Sequence, residues 1–253
     1  MSHINYEYRY EIKPGRFVYV QTRSSAISGR AIIKQVSRKY KPSRIFYHFR
    51  RMGGHVAALR LHQGSLFFSR FDIENFFGQV ARSRIARSLR QVGIAHRRAF
   101  NIAVESVVVE GANKVLPFGF CQSPVLATVA LEFSMLGSTL KRLSAAGFRV
   151  SVYVDDIIIS GNDQAALHAA SLELIDAASL SKFPLSTSKR TIAASAVEAF
   201  NCQIDSHTIT ILDDRMDRFV SDHRDCTPWA QGAIEKYVNA ISPAELVRLN
   251  SLL

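Results

Sequence analysis

At 253 residues and 28.2 kDa the chain can bury one substantial core and divide it into subdomains, with little room for a second independent domain. No run approaches the roughly 20 apolar residues of a membrane span, the start MSHINYEYRYEIK lacks a secretory pattern, and Cys121, Cys202 and Cys226 have neither metal nor disulfide spacing, so a soluble, cytoplasmic protein with no membrane partner is expected. The net charge of +11 sits at the front: residues 1–70 carry 14 basic against 2 acidic side chains, residues 71–150 carry 10 against 5, and residues 151–253 carry 8 against 14, a distribution that attracts a polyanion at one end.

Residues 6–20, YEYRYEIKPGRFVYV, are aromatic and β-branched around Pro14-Gly15 and predict strand, turn, strand. Residues 26–41 fit a short helix and equally a strand followed by a basic loop. The run SLFFSRFDI at residues 65–73 is dense in β-formers and predicts a buried strand ending at Asp72. Over residues 79–92 the apolar Val80, Ile85, Leu89 and Val92 keep near-helical spacing, while Arg82, Arg84, Arg87 and Arg90 fall elsewhere around the helix. After LPFGFCQ, Ser123 is placed to cap a helix with Pro124 in its first turn, and apolar sequence runs to about Ala146 before Gly147 stops it. Residues 148–159 are β-rich and contain YVDD, with Ser160-Gly161-Asn162 as a turn, so the two acidic residues belong to a hairpin. Residues 163–180 are helical by composition, residues 192–212 hold short strands, and the rest is helical, with Ser242-Pro243-Ala244-Glu245 as a capping-box pattern.

Two acidic sites interrupt apolar β sequence, where an unpaired carboxylate is costly: Asp72 in SRFDIENFF and Asp155-Asp156 in VSVYVDDIIIS. For either alone, a salt bridge to Arg or Lys, or exposure at a strand end, is an adequate explanation. Together they suggest two strands presenting carboxylates side by side, an arrangement that can hold a pair of Mg²⁺ ions. One such ion activates a 3′-hydroxyl while the other stabilises a pyrophosphate leaving group.

These residues resemble the reverse transcriptase family, in the prokaryotic branch of retron, group II intron and abortive-infection or defence-associated enzymes. FDIENFF is similar to the family's first catalytic motif. The resemblance makes Asp72 a metal ligand, Ile73 the donor of a backbone carbonyl to the second metal, and Phe77 the aromatic gate that excludes a 2′-hydroxyl. LPFGFCQSP resembles the motif against which template and incoming nucleotide pack, with Gly119 and Pro124 matching. YVDD is similar to the metal-binding hairpin, with Asp155 a ligand and Asp156 a second one. LSTSKRT resembles the motif whose lysine, here Lys189, is a candidate acid for the leaving pyrophosphate, and Phe200-Asn201-Cys202 stands where the primer-grip hairpin belongs. The match covers about residues 45–205, and the order and spacing of its motifs carry it more than any one of them.

The resemblance implies an α+β fold, a right-hand polymerase with palm and fingers and a reduced helical thumb. Residues 1–66 would form basic fingers, 67–212 the palm with a fingers-like helical insertion at about 79–113, and 213–253 a remnant of at most two helices. It further implies Mg²⁺, or Mn²⁺, as cofactor, an RNA template that includes a structured non-coding RNA, dNTPs, a DNA product, a partner protein or homo-oligomer to aid processivity, and a role in antiphage defence. Candidates for the triphosphate are Arg50, Arg51 and Lys34. Phe118 departs from retroviral and intron enzymes, which usually carry Gln there; it reflects either lineage-specific packing or unusual template handling, and it places the resemblance nearer the defence-associated branch. A template-independent deoxynucleotidyl transferase and a non-catalytic RNA-binding scaffold are therefore the alternative classes. Arg82, Arg84, Arg87 and Arg90 either solubilise their helix or contact RNA phosphates. His48, His55 and His62 recur every seven residues, and without further ligands they fit structural or nucleic-acid contacts better than zinc.

Overall fold

The computed structural model describes residues 5–49 and 54–253. Strands β1 (Tyr6–Lys13) and β2 (Arg16–Gln21) precede helix α1 (Arg23–Lys39), and α2 (Gly54–His62) leads into β3 (Phe67–Asp72). Helices α3 (Arg82–Gln91) and α4 (His96–Glu105) are followed by the hairpin β4 (Val108–Glu110) and β5 (Asn113–Val115), then by α5 (Ser123–Glu132) and α6 (Met135–Ala145). Next come β6 (Arg149–Tyr153), β7 (Asp156–Gly161), α7 (Gln164–Leu180) and four short strands, β8 (Thr191–Ala194), β9 (Ala196–Ala199), β10 (Cys202–Asp205) and β11 (Ile209–Ile211). Helices α8 (Asp213–Asp225), α9 (Pro228–Ile241) and α10 (Pro243–Leu252) end the chain. No single helix is long and apolar enough to cross a membrane among the described residues.

The chain divides into two compact units. The first takes in the residues up to Phe46 with Ile73–Arg142 and Leu174–Leu185. Here β1 and β2 pair antiparallel, with Arg9 opposite Tyr19 and Tyr10 opposite Val18. The ambiguous residues 26–41 lie in α1: the Thr22 hydroxyl accepts the Ser25 N–H at 3.1 Å, Ile32 and Val36 bury one stripe a turn apart, and Arg38 and Lys39 complement the C-terminal end of the helix dipole. The following Tyr40 donates its hydroxyl to the buried Glu132 carboxylate, which Lys141 also approaches at 3.7 Å.

The apolar stretch expected as one helix is two. Helices α5 and α6 meet at a bend of 71°. Ser134 breaks the run by accepting the Gly137 N–H at 3.1 Å, which starts a new helix. A Cβ on Gly137 would lie 2.2 Å from the Leu131 carbonyl oxygen, so the close crossing requires glycine. Ser123 does not cap: its hydroxyl donates to the Pro117 carbonyl at 2.8 Å and ties the helix start to the preceding loop.

The second unit comprises Tyr47–Asp72, Leu143–Glu173 and Ser186–Leu253. Its main sheet is antiparallel with strand order β6-β7-β3-β8. The two central strands are buried along most of their length, which explains why neither shows a clean polar alternation. Cross-strand register places Phe68, Arg70 and Asp72 of β3 opposite Ser160, Ile158 and Asp156 of β7, and residues opposite one another share a face. On that face the fully buried His62 of α2 joins the strands, with Nδ1 2.8 Å from the Ser160 hydroxyl and Nε2 2.8 Å from the Ser151 hydroxyl. On the other face Ser171 of α7 donates to Ser69 at 2.8 Å.

A second sheet, β11-β10-β9, shares its core with the C-terminal helices through Val197, Ile204, Ile209, Met216, Phe219, Val238 and Leu249. There are three such helices rather than the two expected, because Ser242 and Pro243 separate α9 from α10 after only a short break. Glu245 does not complete a capping box; it accepts the Ile211 N–H at 2.9 Å and so pins α10 to the sheet.

Candidate active site

The carboxylates singled out by sequence meet in the second unit. Asp72 ends β3 and Asp156 begins β7 directly opposite it, while Tyr153 faces Asp156 from β6. Val154 and Asp155 form the two-residue turn between β6 and β7. Val154 has φ 61°, a conformation that a β-branched residue adopts only at a cost of roughly 1–3 kcal/mol and that the surroundings must impose. His48 supplies one such constraint, its Nδ1 accepting the Val154 N–H at 3.2 Å. Burial lowers the His48 pKa to about 4, so at neutral pH the ring is uncharged and can accept.

Both aligned carboxylates have cationic partners. Lys189 Nζ lies 2.8 Å from Asp72 Oδ1, and Arg70 Nη2 lies 2.8 Å from Asp156 Oδ1. The two pairs differ in character. Arg70 also donates from Nε to the same oxygen and from Nη1 to the Glu198 carbonyl at 2.8 Å, and its side chain is only 20% exposed. Lys189 is 56% exposed and makes one bond, whereas Asp72 is only 12% exposed, so the lysine can part from Asp72 cheaply only where another cation takes its place. Arg70 escaped the sequence reading, although its place two residues before Asp72 in a strand put it on the carboxylate face.

Around the hairpin stands an aromatic group. Phe200 and Asn201 form the turn between β9 and β10 with φ 54° and 60°, and the Phe200 ring meets Tyr153 edge-on at 5.3 Å. His55 lies against both rings and its Nε2 is 2.9 Å from the Tyr237 hydroxyl. All three heptad-spaced histidines thus have structural partners. No group of three or more His, Cys, Asp or Glu side chains forms a ready-made metal cluster among the described residues. The donor set nonetheless fits Mg²⁺, which takes one or two carboxylates and completes its shell with water and substrate phosphate.

The remaining candidates belong to the first unit. Ile73 is buried and bridges antiparallel to Leu185. The Phe77 ring lies 5.8 Å from that of Phe118, over which the Arg16 guanidinium sits at 5.1 Å. Tyr19 donates its N–H to the Phe118 carbonyl at 2.8 Å, which fixes the loop against β2. Gly119 has φ 107°, and a Cβ there would approach the Tyr19 carbonyl oxygen to 2.5 Å. Gln21 clasps the same loop, accepting the Cys121 N–H at 2.8 Å and donating to Gln122 at 3.2 Å. Lys34 is exposed on α1. Arg50 and Arg51 lie outside the described residues.

A family profile described as Reverse transcriptase (RNA-dependent DNA polymerase) matches residues 23–212. The chain belongs to the reverse transcriptase family. Its members are RNA-directed DNA polymerases, a class of nucleotidyltransferase, and the match runs through every motif named above. Among solved structures, similar folds include a foamy viral protease-reverse transcriptase in complex with double-stranded DNA, at 17% identity and TM-score 0.53 over 92% of this chain and 35% of that one. Candida albicans telomerase in complex with a fragment of telomeric RNA aligns at 9% identity and TM-score 0.57 over 89% of this chain and 46% of that one. An RNA polymerase complex inside a double-stranded RNA virus aligns at 13% identity and TM-score 0.53 over 79% and 21%. The α+β polymerase fold of palm and fingers is therefore established. The chain spans less than half the length of each of these structures. No curated protein matches it.

Proposed function

We propose that this reverse transcriptase uses two divalent ions, Mg²⁺ or Mn²⁺, held by Asp72 and Asp155 with Asp156 assisting, to add deoxynucleotides to a primer 3′-hydroxyl or a protein hydroxyl on an RNA template. The observation that supports the reading is the pairing of acids at one end of the main sheet, where Asp72 and Asp156 face each other and Asp155 follows the strained Val154 in the adjoining turn. When bound, the metals lower the pKa of the attacking hydroxyl and neutralise charge on the triphosphate. The chain's own residues do the rest. Lys189 holds a proton at Nζ beside Asp72, where it can pass to the departing pyrophosphate. Arg70 fixes one oxygen of Asp156 and leaves Oδ2 as the oxygen for a ligand role. Phe77 acts as the gate against a 2′-hydroxyl.

The test is dNTP incorporation by Asp155→Asn beside the unaltered protein; equal incorporation by both, or none by either across varied templates, overturns the assignment. Phe118 favours a second reading. It offers a stacking surface, with Phe77 and Arg16 around it, and no amide to hydrogen-bond a base. Base-indifferent extension follows from such a surface, and omitting template from the assay separates the two. The resemblance to prokaryotic defence-associated enzymes supports a cytoplasmic role in antiphage defence with a structured RNA as template; unchanged phage sensitivity on expression with the native flanking RNA counts against it.

A further inference from the structure

Helix α3 carries four arginines, and the structure sorts them into two kinds. Arg84 turns inward. It donates to the Ser181 carbonyl at 2.6 Å and lies 4.4 Å from the Phe183 ring centre, and burial lowers its pKa. Arg82, Arg87 and Arg90 instead line a cavity of about 270 Å³ between α3 and α4, together with His96 and Phe100 of α4. Helical spacing builds it. Arg82 and Arg90 stand two turns apart with the small Ala86 between them, which leaves room, and His96 and Phe100 are one turn apart on the facing helix.

This cavity is unlike a solvated charged face. Residues 75–104 contain six arginines and no acidic residue, and none of the three lining arginines has a carboxylate partner among the described residues. Arg98, on the same helix as His96, is the contrast, being tied to Gln35 and Glu105. Phe100 is 47% exposed at the cavity, and Arg82 lies over its ring at 5.6 Å. Clustered guanidinium groups without counter-charges repel one another, and an exposed phenyl ring is unfavourable in water. Both costs are offset by one kind of ligand, a flat apolar ring attached to a chain of phosphates.

We propose that the α3–α4 cavity docks an unpaired segment of the RNA on which the enzyme works. One base stacks on Phe100, and Arg82, Arg87 and Arg90 hold the phosphates on either side. A base in a duplex cannot reach such a ring without leaving its stack, which is why the occupant is single-stranded or bulged. The inference rests on the polymerase reading for the choice of RNA as the polyanion.

The test measures binding of a labelled, mixed-sequence single-stranded RNA to the full chain across a salt series. The combined Arg82→Gln, Arg87→Gln and Arg90→Gln variant should lose about 2 from the slope of log affinity against log salt, at about 0.7 per single-strand phosphate contact. Phe100→Ala should weaken binding on the order of tenfold with no change in slope. Arg97→Gln, which removes an exposed arginine of α4 that does not line the cavity, should leave both quantities unchanged. An equal effect from Arg97→Gln overturns the proposal, as does polyglutamate competing as well as RNA. Photocrosslinking of 4-thiouridine RNA to the unaltered protein checks it without any variant: adducts on residues 82–100 support it, and their absence there overturns it. Primer extension on a short template-primer, run on the same preparations, separates the two readings. A protein that binds RNA through this cavity but never extends a primer retains the cavity and loses the polymerase assignment.

Discussion

Acidification should loosen the sheet that carries the carboxylates, and His62 and His48 set the size of the effect. Burial lowers the His62 pKa to about 3 and the His48 pKa to about 4, against about 6.5 in an unfolded chain. Between those limits the unfolded state binds protons that the folded state refuses, so stability falls as pH falls, starting near pH 6.5 and continuing towards pH 4. At about pH 5 each histidine accounts for a loss of about 2 kcal/mol relative to neutral pH, or about 4 kcal/mol together. His62→Gln keeps an amide between the Ser151 and Ser160 hydroxyls but cannot titrate, so it should remove about half of that loss. The assay is the urea unfolding midpoint of both proteins at about pH 7.5 and about pH 5. An unaltered protein whose midpoint is flat across this range, or a His62→Gln protein with the same pH dependence as its parent, refutes the assignment of the effect to a buried neutral imidazole. Asp205, whose carboxyl is lowered by the His207 and Thr208 backbone N–H groups, titrates below this window and does not confuse it.

Three further outcomes are expected, two from the geometry and one from the gate role proposed for Phe77. Gly119→Ala places a Cβ 2.5 Å from the Tyr19 carbonyl oxygen at φ 107°, and should destabilise the protein by about 2–4 kcal/mol, read as a lower melting temperature. Arg70→Met leaves the Asp156 carboxylate without its fixed partner; thermal unfolding should show a loss of about 1–2 kcal/mol, and the Mg²⁺ concentration for half-maximal incorporation should fall because a competing cation is gone. Phe77→Val should raise ribonucleotide relative to deoxynucleotide incorporation by about tenfold or more, and an unchanged ratio removes the gate from that position.

Much of the fold was legible because its periodicities are local. The strand ending at Asp72 and the hairpin around YVDD announce themselves as β-branched runs, and α3 follows from the spacing of Val80, Ile85, Leu89 and Val92. The bend between α5 and α6 was hidden, since an unbroken apolar run reads the same whether straight or folded. What breaks it is a single hydroxyl, Ser134, together with the room that Gly137 leaves against Leu131. Residues 26–41 were undecidable for a related reason: Ile32 and Val36 suit a helix stripe, but only burial shows that a stripe is what they form.

For the site, sequence order brings out the acids as candidates but not what surrounds them. A salt bridge and a metal site are rival explanations of Asp72 and Asp156 in the sequence, and the geometry makes the two compatible. An exposed lysine that makes one bond can yield Asp72 to a ligand, whereas a half-buried arginine anchored to both Asp156 and the Glu198 carbonyl cannot leave without disturbing the sheet. The two members of the aligned pair are therefore unequal by construction. Arg70 holds Asp156 at one oxygen, which suits Asp156 to orienting the hairpin and leaves only its second oxygen open to a ligand, while a single bond from Lys189 holds Asp72. Asp72→Asn should accordingly abolish incorporation while leaving stability nearly unchanged, and Asp156→Asn should lower both, since it weakens the bond to Arg70. Measured side by side, equal losses of stability in the two variants would contradict this division of roles.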